Sequence, residues 1–347
     1  MSDFKIKEDT SWLDNLRVIA TISFILLHVA APLLLRYTNL SSLNWSIANF
    51  YDSLVRFCVP VFVMITGALL LTKDYELGNY FKKRVARIIY PSLFWMIIYS
   101  IHALLILKNG FKLPFFDMLT ISSSKFGYKT TYHFWYVYMI IGLYLLIPLL
   151  SKLIRNATQK EILYFLTIWF LVVSLAHPIF NDYLPTFNLK YFGGFVGYLI
   201  LGYYLSSKNF ANTKNIRIIS LSIFLFGVLL TALGTYFLST YKGHFTADLY
   251  TYFSPNIIIA AISLFLFIKH INITNNKLLS VRSKINKHSF GIYFVHVLVL
   301  FWLNRFGLNG ATFGPAIGIP LTTLACLTIS SSLIYLLKKL GLAKVVG

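Results

Sequence analysis

The sequence predicts an all-α fold, a polytopic integral membrane protein built as a bundle of about ten transmembrane helices. Of the 347 residues, 57% are hydrophobic and only 12% are charged, whereas soluble domains carry about 25% charged residues. Aromatic residues reach 17% of the chain, a content that suits helices whose ends lie among lipid headgroups. The composition therefore excludes a soluble fold, and the bilayer is the expected solvent.

Ten apolar stretches approach the length needed to cross a bilayer, roughly 20 mostly apolar residues. They lie near 13–36, 50–72, 86–107, 132–150, 161–177, 191–206, 216–238, 252–270, 289–305 and 314–337. The longest loop, 108–131, contains Gly110, Pro114 and a run of serines, which predicts irregular structure. Because no hydrophilic stretch is long enough for a soluble domain, residues 1–347 are predicted to form a single transmembrane domain.

The formal net charge is +20, a value that in a soluble protein would indicate a nucleic-acid partner. Here the 31 Lys and Arg residues cluster between apolar runs. With ten spans, most of them fall on the side that carries the two ends of the chain. The positive-inside rule then predicts that both termini are cytoplasmic. The expected partner is the lipid bilayer and not nucleic acid.

No metal site and no disulfide are predicted. The two cysteines, Cys58 and Cys326, lie in separate apolar segments and fit neither a disulfide framework nor a metal-binding pair. The chain has only 11 acidic residues and lacks the metal-binding and phosphate-loop motifs of soluble enzymes.

The first predicted helix carries polar residues at intervals of three, four and seven, which place them on one face: Asp14, Arg17, Thr21 and His28. About 16 Å of helical rise separates Arg17 from His28. Arg17 is therefore expected near the cytoplasmic surface and His28 beyond the midplane, as a buried imidazole. A neutral imidazole can accept a proton from a hydroxyl or attack a thioester itself, which suits acyl transfer. The alternative is a core histidine held by one hydrogen bond.

A basic cluster precedes the third span, and Arg84 and Arg87 stand in it three residues apart. Two guanidinium groups on one face of a helix end form a forked site for phosphates, such as those of coenzyme A. The alternative is a cluster that only anchors the helix end on the cytoplasmic side.

Polar residues near the predicted outer surface are less specific. Asp52 and Arg56 have the spacing of a helical ion pair, with a structural or a functional role. His133 and Trp135 open the fourth span, where an aromatic belt is expected, although the same position suits stacking on a sugar.

The ninth predicted helix places Ser289, Tyr293 and His296 on one face. This face is a candidate lining for the cavity that holds His28. Hydrogen bonds between packed helices explain the same residues equally well.

Several separate segments together resemble one known family: 13–20 with His28, 56–67, 84–87, 133–137, 144–148 and 289–296. The family is the membrane-bound acyltransferase family 3, which includes O-acetyltransferases of lipopolysaccharide, enterobacterial common antigen and other surface polysaccharides. Where relatives usually have Ser-Gly, this chain has Thr66-Gly67, which keeps a hydroxyl. The compact length is similar to the subgroup that contains the enterobacterial common antigen O-acetyltransferase.

The resemblance implies a multi-pass acyltransferase of the bacterial cytoplasmic (inner) membrane. The implied donor is acetyl-CoA or another acyl-CoA, without a metal, and the implied acceptor is an envelope glycan or a lipid-linked glycan. His28 would be the general base or a transient acyl carrier, and the donor phosphates would lie on Arg17, Arg84 and Arg87. Supporting roles are expected for Asp14, Arg56, Tyr293 and His296, and acceptor-side roles for His133 and Trp135.

Two other functions are compatible with a bundle of this size. A transporter or flippase of a lipid-linked glycan or small solute would use a polar stripe as its path, with helices broken at the midplane. No internal repeat is evident, and Pro60 is expected too close to its helix start to be such a break. A purely structural subunit would leave the intramembrane Arg17 and His28 without a role.

Overall fold

The structure is a computed structural model that describes residues 10–106, 132–175 and 194–347. Within these ranges every secondary-structure element is helical. The longer helices are α1 (Ser11–Leu34), α2 (Ser42–Val55), α3 (Cys58–Leu70), α4 (Ala86–Ile106), α5 (Trp135–Asn156), α6 (Gln159–Leu175), α7 (Gly194–Ser207), α8 (Thr213–Lys242), α9 (Pro255–Lys269), α10 (Asn276–Arg305) and α11 (Pro315–Leu337). The predicted loop 108–131 lies outside the described residues.

Six helical segments are long and apolar enough to cross a membrane: Ser11–Leu34, Ser42–Leu70, Tyr132–Asn156, Thr213–Lys242, Asp248–Lys269 and Pro315–Val346. These segments support a multi-pass membrane protein. Each of the ten predicted spans overlaps a described helix, but the number of crossings and the cytoplasmic side of both termini stay predictions. α10 begins at Asn276, well before the predicted span 289–305. Its first turns are helical although they carry four basic residues.

The helical segment that overlaps the predicted span 50–72 extends further toward the N-terminus than predicted. The helical segment begins at Ser42, and its α-helical pattern is interrupted at Arg56 and Phe57, near the middle of the segment. Pro60 explains the interruption, because it has no N–H to donate to the Arg56 carbonyl and its ring would clash with that group. We call this interruption, near the middle of the apolar segment Ser42–Leu70, the midspan break. Pro60 itself is the third residue of α3, close to a helix start as expected.

The chain divides into two compact units. The first unit comprises Met1–Ser23, Ser53–Leu69 and Leu163–Lys287, and the second comprises Phe24–Asp52, Leu70–Ile162 and His288–Gly347. α1 and α10 contribute residues to both units. The prediction of a single domain stays a prediction.

In the first unit, glycines allow two helices to touch along their backbones. A Cβ added at Gly67 of α3 would lie 1.8 Å from the Leu199 carbonyl oxygen of α7, and one at Gly202 would lie 2.0 Å from the Met64 carbonyl oxygen. Such close approach is the usual reason for small residues in membrane helix pairs. The glycine of the Thr66-Gly67 pair thus has a packing role.

A lysine closes the C-terminal end of α7 in the same unit. The Lys269 ammonium donates to the carbonyl oxygens of Leu205, Ser206 and Lys208, at 3.0, 2.7 and 2.5 Å. The last carbonyls of a helix have no partner within the helix, and a positive charge there also interacts favourably with the helix dipole.

We expect Lys269→Met to lower the free energy of unfolding by about 2 kcal/mol, because charged hydrogen bonds to these carbonyls are lost. Thermal unfolding of the purified protein in detergent measures the effect. The matched control is Lys214→Met, an exposed lysine near the start of α8, which should change the midpoint little. Equal midpoints for the two variants would contradict the capping role.

In the second unit, the buried Tyr99 of α4 fixes the backbone of α10. Its hydroxyl donates to the Phe294 carbonyl at 2.8 Å and accepts from the Leu298 N–H at 3.1 Å. These two backbone groups bond to each other in a regular helix, so the hydroxyl bridges the helical ladder on either side of His296. An inserted side chain of this kind bends a helix locally.

Candidate functional site

Two histidines of the second unit, His28 and His133, each lie in ring contact with a third, His296. The ring of His28, on α1, stacks on the ring of His296, on α10, with centroids 5.1 Å apart and planes inclined by 27°. His133 lies in the short helical turn Tyr132–Phe134, and its ring centroid is 5.3 Å from that of His296. The predicted grouping of His28 with His296 is what the structure shows, and His133 joins them.

His28 is held by a tyrosine that directly precedes His133 in the chain. The Tyr132 hydroxyl lies 3.0 Å from His28 Nδ1, and the two rings meet edge to face. The His28 side chain is half-buried, which differs from the fully buried imidazole predicted. If Nδ1–H donates to the Tyr132 oxygen, Nε2 carries the lone pair. This tautomer is the one that can accept a proton from a substrate hydroxyl at Nε2.

His296 is fully buried, and its ring is fixed by its own helix. Nδ1 lies 2.6 Å from the Tyr293 carbonyl oxygen, which can only accept, so Nδ1 carries the hydrogen. Among the residues that the structure describes, none forms a hydrogen bond with Nε2. His296 is thus a neutral imidazole in this arrangement, with its lone pair at Nε2.

Tyr293 joins α10 to the turn that carries His133. Its hydroxyl donates to the His133 carbonyl oxygen, and its ring lies 5.5 Å from the His133 ring. His133 is only 2% exposed, so its assignment to an outer aromatic belt is wrong. The reason is that the hydrogen bond from Tyr293 holds the turn Tyr132–Phe134 against α10. Trp135 remains 39% exposed, as a belt residue would be.

The first unit holds the predicted Asp14–Arg17 pair. Arg17 Nη1 lies 3.1 Å from the Asp14 carboxylate and 2.8 Å from Asn286 Oδ1 of α10. Both acceptors orient the guanidinium and leave further N–H donors on it. Thr21, expected on the same polar stripe, donates its hydroxyl to the Arg17 carbonyl at 2.7 Å and therefore serves its own helix.

Arg84 and Arg87 lie on either side of a change in helix type, and their shared face stays a prediction. Arg84 lies in a π-helical turn, Phe81–Val85, which precedes α4, whereas Arg87 belongs to α4 itself. The wider π turn changes the angle between successive side chains, so the α-helical spacing does not apply. Arg87 is exposed and Arg84 half-buried. Burial raises the pKa of the neighbouring Tyr75 to about 12, and the Arg84 charge acts in the opposite direction.

Arg56 lies at the midspan break, where its guanidinium stacks on the Tyr250 ring with 4.1 Å to the centroid. The Tyr250 hydroxyl lies 3.2 Å from the Ser53 hydroxyl. The attraction between a cation and an aromatic face partly compensates for the loss of the water that would hydrate the cation. The α-helical pattern is interrupted at Arg56, and the Asp52–Arg56 pair stays a prediction.

We expect Tyr132→Phe to lower kcat about 10- to 100-fold with little change in KM, because partners that orient a functional imidazole typically contribute this much in comparable sites. The assay is release of free coenzyme A thiol by the purified protein from acetyl-CoA, the donor that the family resemblance implies. The matched control is Tyr138→Phe, an exposed tyrosine of α5. Full kcat in Tyr132→Phe would contradict a role for the hydroxyl.

Sequence reasoning missed Tyr132, Asn286 and Tyr99. Tyr132 adjoins the segment 133–137 that was singled out, and Asn286 precedes 289–296 by one helical turn. Tyr132 and Asn286 could therefore have been predicted from their closeness to these two segments. Tyr99 lies in an apolar run with no such signal. Over the described ranges, no group of three His, Cys, Asp or Glu side chains is placed to hold a metal ion.

Comparison with known proteins identifies the chain. No curated protein and no solved structure matches it. A family model described as an acyltransferase domain matches residues 10–335, a range that includes all three histidines of the cluster and every arginine assigned to the donor. The chain belongs to acyltransferase family 3, whose members are acyltransferases.

Proposed function

We propose that this protein is a membrane O-acyltransferase that moves an acetyl or another acyl group from cytoplasmic acyl-CoA to a hydroxyl of an envelope glycan or lipid-linked glycan. The observation that carries the proposal is the His28 imidazole, held at Nδ1 by Tyr132 within a chain of this family. Intramembrane histidines are costly and mark functional sites, and an oriented imidazole is the commonest general base.

The proposed reaction uses His28 as a base through Nε2. The acceptor hydroxyl transfers its proton to Nε2 while its oxygen forms a bond to the thioester carbonyl carbon. The carbon–sulfur bond then breaks, and the protonated imidazole returns the proton to the departing thiolate. The products are an O-acyl ester and free coenzyme A, so protons and electrons balance. A transient acyl-imidazole at His28 is the alternative route.

The donor is proposed to bind through three arginines. Arg17 is oriented by Asp14 and Asn286, and Arg84 and Arg87 lie at the start of α4. Guanidinium groups suit the phosphates of coenzyme A. On this proposal the nucleotide stays on the cytoplasmic side and the acceptor approaches from the outer side, in the bacterial inner membrane.

We expect Arg84→Ala and Arg87→Ala each to raise KM for acetyl-CoA about tenfold with kcat nearly unchanged, because a charged hydrogen bond to phosphate contributes about 1.5 kcal/mol or more. Arg217→Ala, at an exposed position of α8, is the control for general loss of positive charge. A KM that changes no more in the α4 variants than in the control would remove the arginines from the donor site.

The most direct test of the proposed reaction is mass spectrometry of envelope glycans from cells with and without the intact gene. The expected result is the loss of one acyl mass from a defined sugar, restored by the wild-type gene and not by His28→Ala. Glycans identical in all strains would contradict an envelope-glycan acceptor.

The midspan break at Arg56 and Phe57 favours a second candidate, a transporter or flippase, because broken helices with a charged residue often line transport paths. The two functions differ in covalent chemistry. A transporter would carry labelled solute or lipid-linked glycan across liposomes without consuming acyl-CoA, whereas the acyltransferase would release coenzyme A.

A further inference from the structure

We propose that His296 is a positioning residue whose neutral ring lies under His28 and stabilises the imidazolium that forms when His28 takes the acceptor proton. This inference rests on the proposed function and adds a second histidine to it. The new element is a role for the stacking contact between the two rings, whereas the identity of the base is already part of the proposed function.

The His296 ring is held rigidly enough for this role. Its Nδ1–H donates to the Tyr293 carbonyl, and the Phe24 ring meets it at 4.7 Å between centroids. The Tyr99 hydroxyl bridges the α10 backbone on both sides of it, and the Cys326 thiol lies 3.5 Å from its carbonyl oxygen. Two contacts thus hold the ring that His28 stacks on, and Tyr99 and Cys326 hold the backbone that carries it.

The pattern of hydrogen bonds keeps His296 uncharged while His28 works. A second proton on His296 would have to sit at Nε2, which is buried and forms no hydrogen bond with any described residue. It would also place two positive rings 5.1 Å apart, and like charges at this distance repel strongly away from water. Only one ring of the stack can therefore carry the proton, and His28, with its half-exposed side chain, is the one open to substrate.

A neutral aromatic face is a favourable neighbour for a cation. The face of a π system is electron-rich, and a cation within about 6 Å of the ring centroid is attracted to it. The stacked geometry presents the face of His296 to His28, with its planes inclined by only 27°. The contact is therefore stronger in the transition state, when His28 is positive, than in the ground state, which is the condition for raising kcat.

Buried unsatisfied acceptors are rare and each needs an explanation. A histidine at this position leaves Nε2 without a hydrogen bond among the described residues, whereas an apolar residue would not incur that loss. The ring's contact with His28 supplies an explanation, because it gives an aromatic ring at this position a use that is independent of a hydrogen bond at Nε2.

Three variants separate the ring face from the other properties of His296. His296→Phe keeps an aromatic face, His296→Leu removes it, and His296→Asn keeps a polar group without a ring. We expect the Phe variant to keep kcat within about threefold of wild type, and the Leu and Asn variants to lose about 10- to 30-fold. KM for acetyl-CoA should stay within twofold in all three. The assay is coenzyme A release by purified protein in liposomes with a glycan acceptor.

The His28→Ala background distinguishes action through His28 from general damage. Because the stack no longer exists there, adding His296→Leu should change the residual rate less than twofold. An unchanged kcat in His296→Leu, or a kcat that Asn preserves and Phe destroys, would overturn the proposal. A further tenfold loss in the double variant would also overturn it, since the two residues would then act independently.

Failure of this inference and failure of the proposed function give different results. If wild type releases no coenzyme A from any acyl-CoA, the proposed function is wrong. If wild type is active and His296→Leu matches it, the function stands and the role of His296 is wrong. If His296→Leu does not survive purification, the comparison of His296→Phe with His296→Asn still tests the ring face, because only the Phe variant keeps an aromatic ring.

Discussion

His28→Ala is expected to lower kcat for coenzyme A release about 1000-fold, because general-base catalysis by a positioned side chain contributes about 10²- to 10⁴-fold. KM for acetyl-CoA should change little, since the arginines assigned to the donor lie elsewhere in the chain. The substitution removes both the Tyr132 hydrogen bond and the stack on His296. Initial rates of thiol release by the purified protein measure the effect.

A second histidine provides the matched control. His102 lies on α4 and is buried, with its ring against Phe301 and Trp302. His102→Ala should lose packing and unfold at a lower temperature, yet keep kcat within a fewfold. If both variants lost activity to the same extent, the loss would reflect damage to packing, and the chemical role of His28 would be unsupported.

Gly67→Ala is expected to prevent normal folding of the first unit. The new Cβ would lie 1.8 Å from the Leu199 carbonyl oxygen and 2.6 Å from its carbonyl carbon, far below any normal contact. Both atoms belong to the backbone of α7, which cannot move aside as a flexible side chain would. Overpacking of this kind costs about 3 kcal/mol or more, so the purified yield and the thermal midpoint should both fall sharply.

The control for this prediction is another helical glycine. Gly142 lies on α5, and a Cβ there would meet nothing within 4 Å. Gly142→Ala should be neutral or slightly stabilising, by up to about 1 kcal/mol, because alanine favours the helix. Similar stability for Gly67→Ala and Gly142→Ala would mean that α3 and α7 do not approach as closely as the structure indicates.

Periodicity predicted which polar residues share a helix face, because the spacing of side chains along a helix is a local property. Tyr293 and His296 were placed on one face of their helix and His28 on the polar face of α1, and the structure brings these faces together in the second unit. The family resemblance, carried by separate short segments, agrees with the match over residues 10–335.

Partners distant in the chain could not be predicted in the same way. Tyr132 and His28 are separated by 104 residues and Arg17 and Asn286 by 269, and periodicity does not specify which helices are neighbours. The role of Tyr99 could not be predicted for the same reason, because its hydroxyl bridges the backbone of a helix 195 residues later in the chain.

Local deviations from the α-helix explain the remaining differences. The break at Arg56 depends on a missing N–H at Pro60, and the π turn before α4 shifts Arg84 relative to Arg87. Both deviations violate the constant spacing on which the prediction depended. They also occur at residues assigned to function, where irregular backbone is common in membrane proteins.

On the proposed function, a histidine of α1 drives acyl transfer from acyl-CoA. The most direct measurement is the rate at which purified protein in liposomes transfers radiolabelled acetyl from acetyl-CoA to an envelope-glycan acceptor, compared between wild type and His28→Ala. We predict labelled glycan and an equal amount of free coenzyme A from wild type, and almost none from the variant. Equal labelling by the two proteins would contradict the claim.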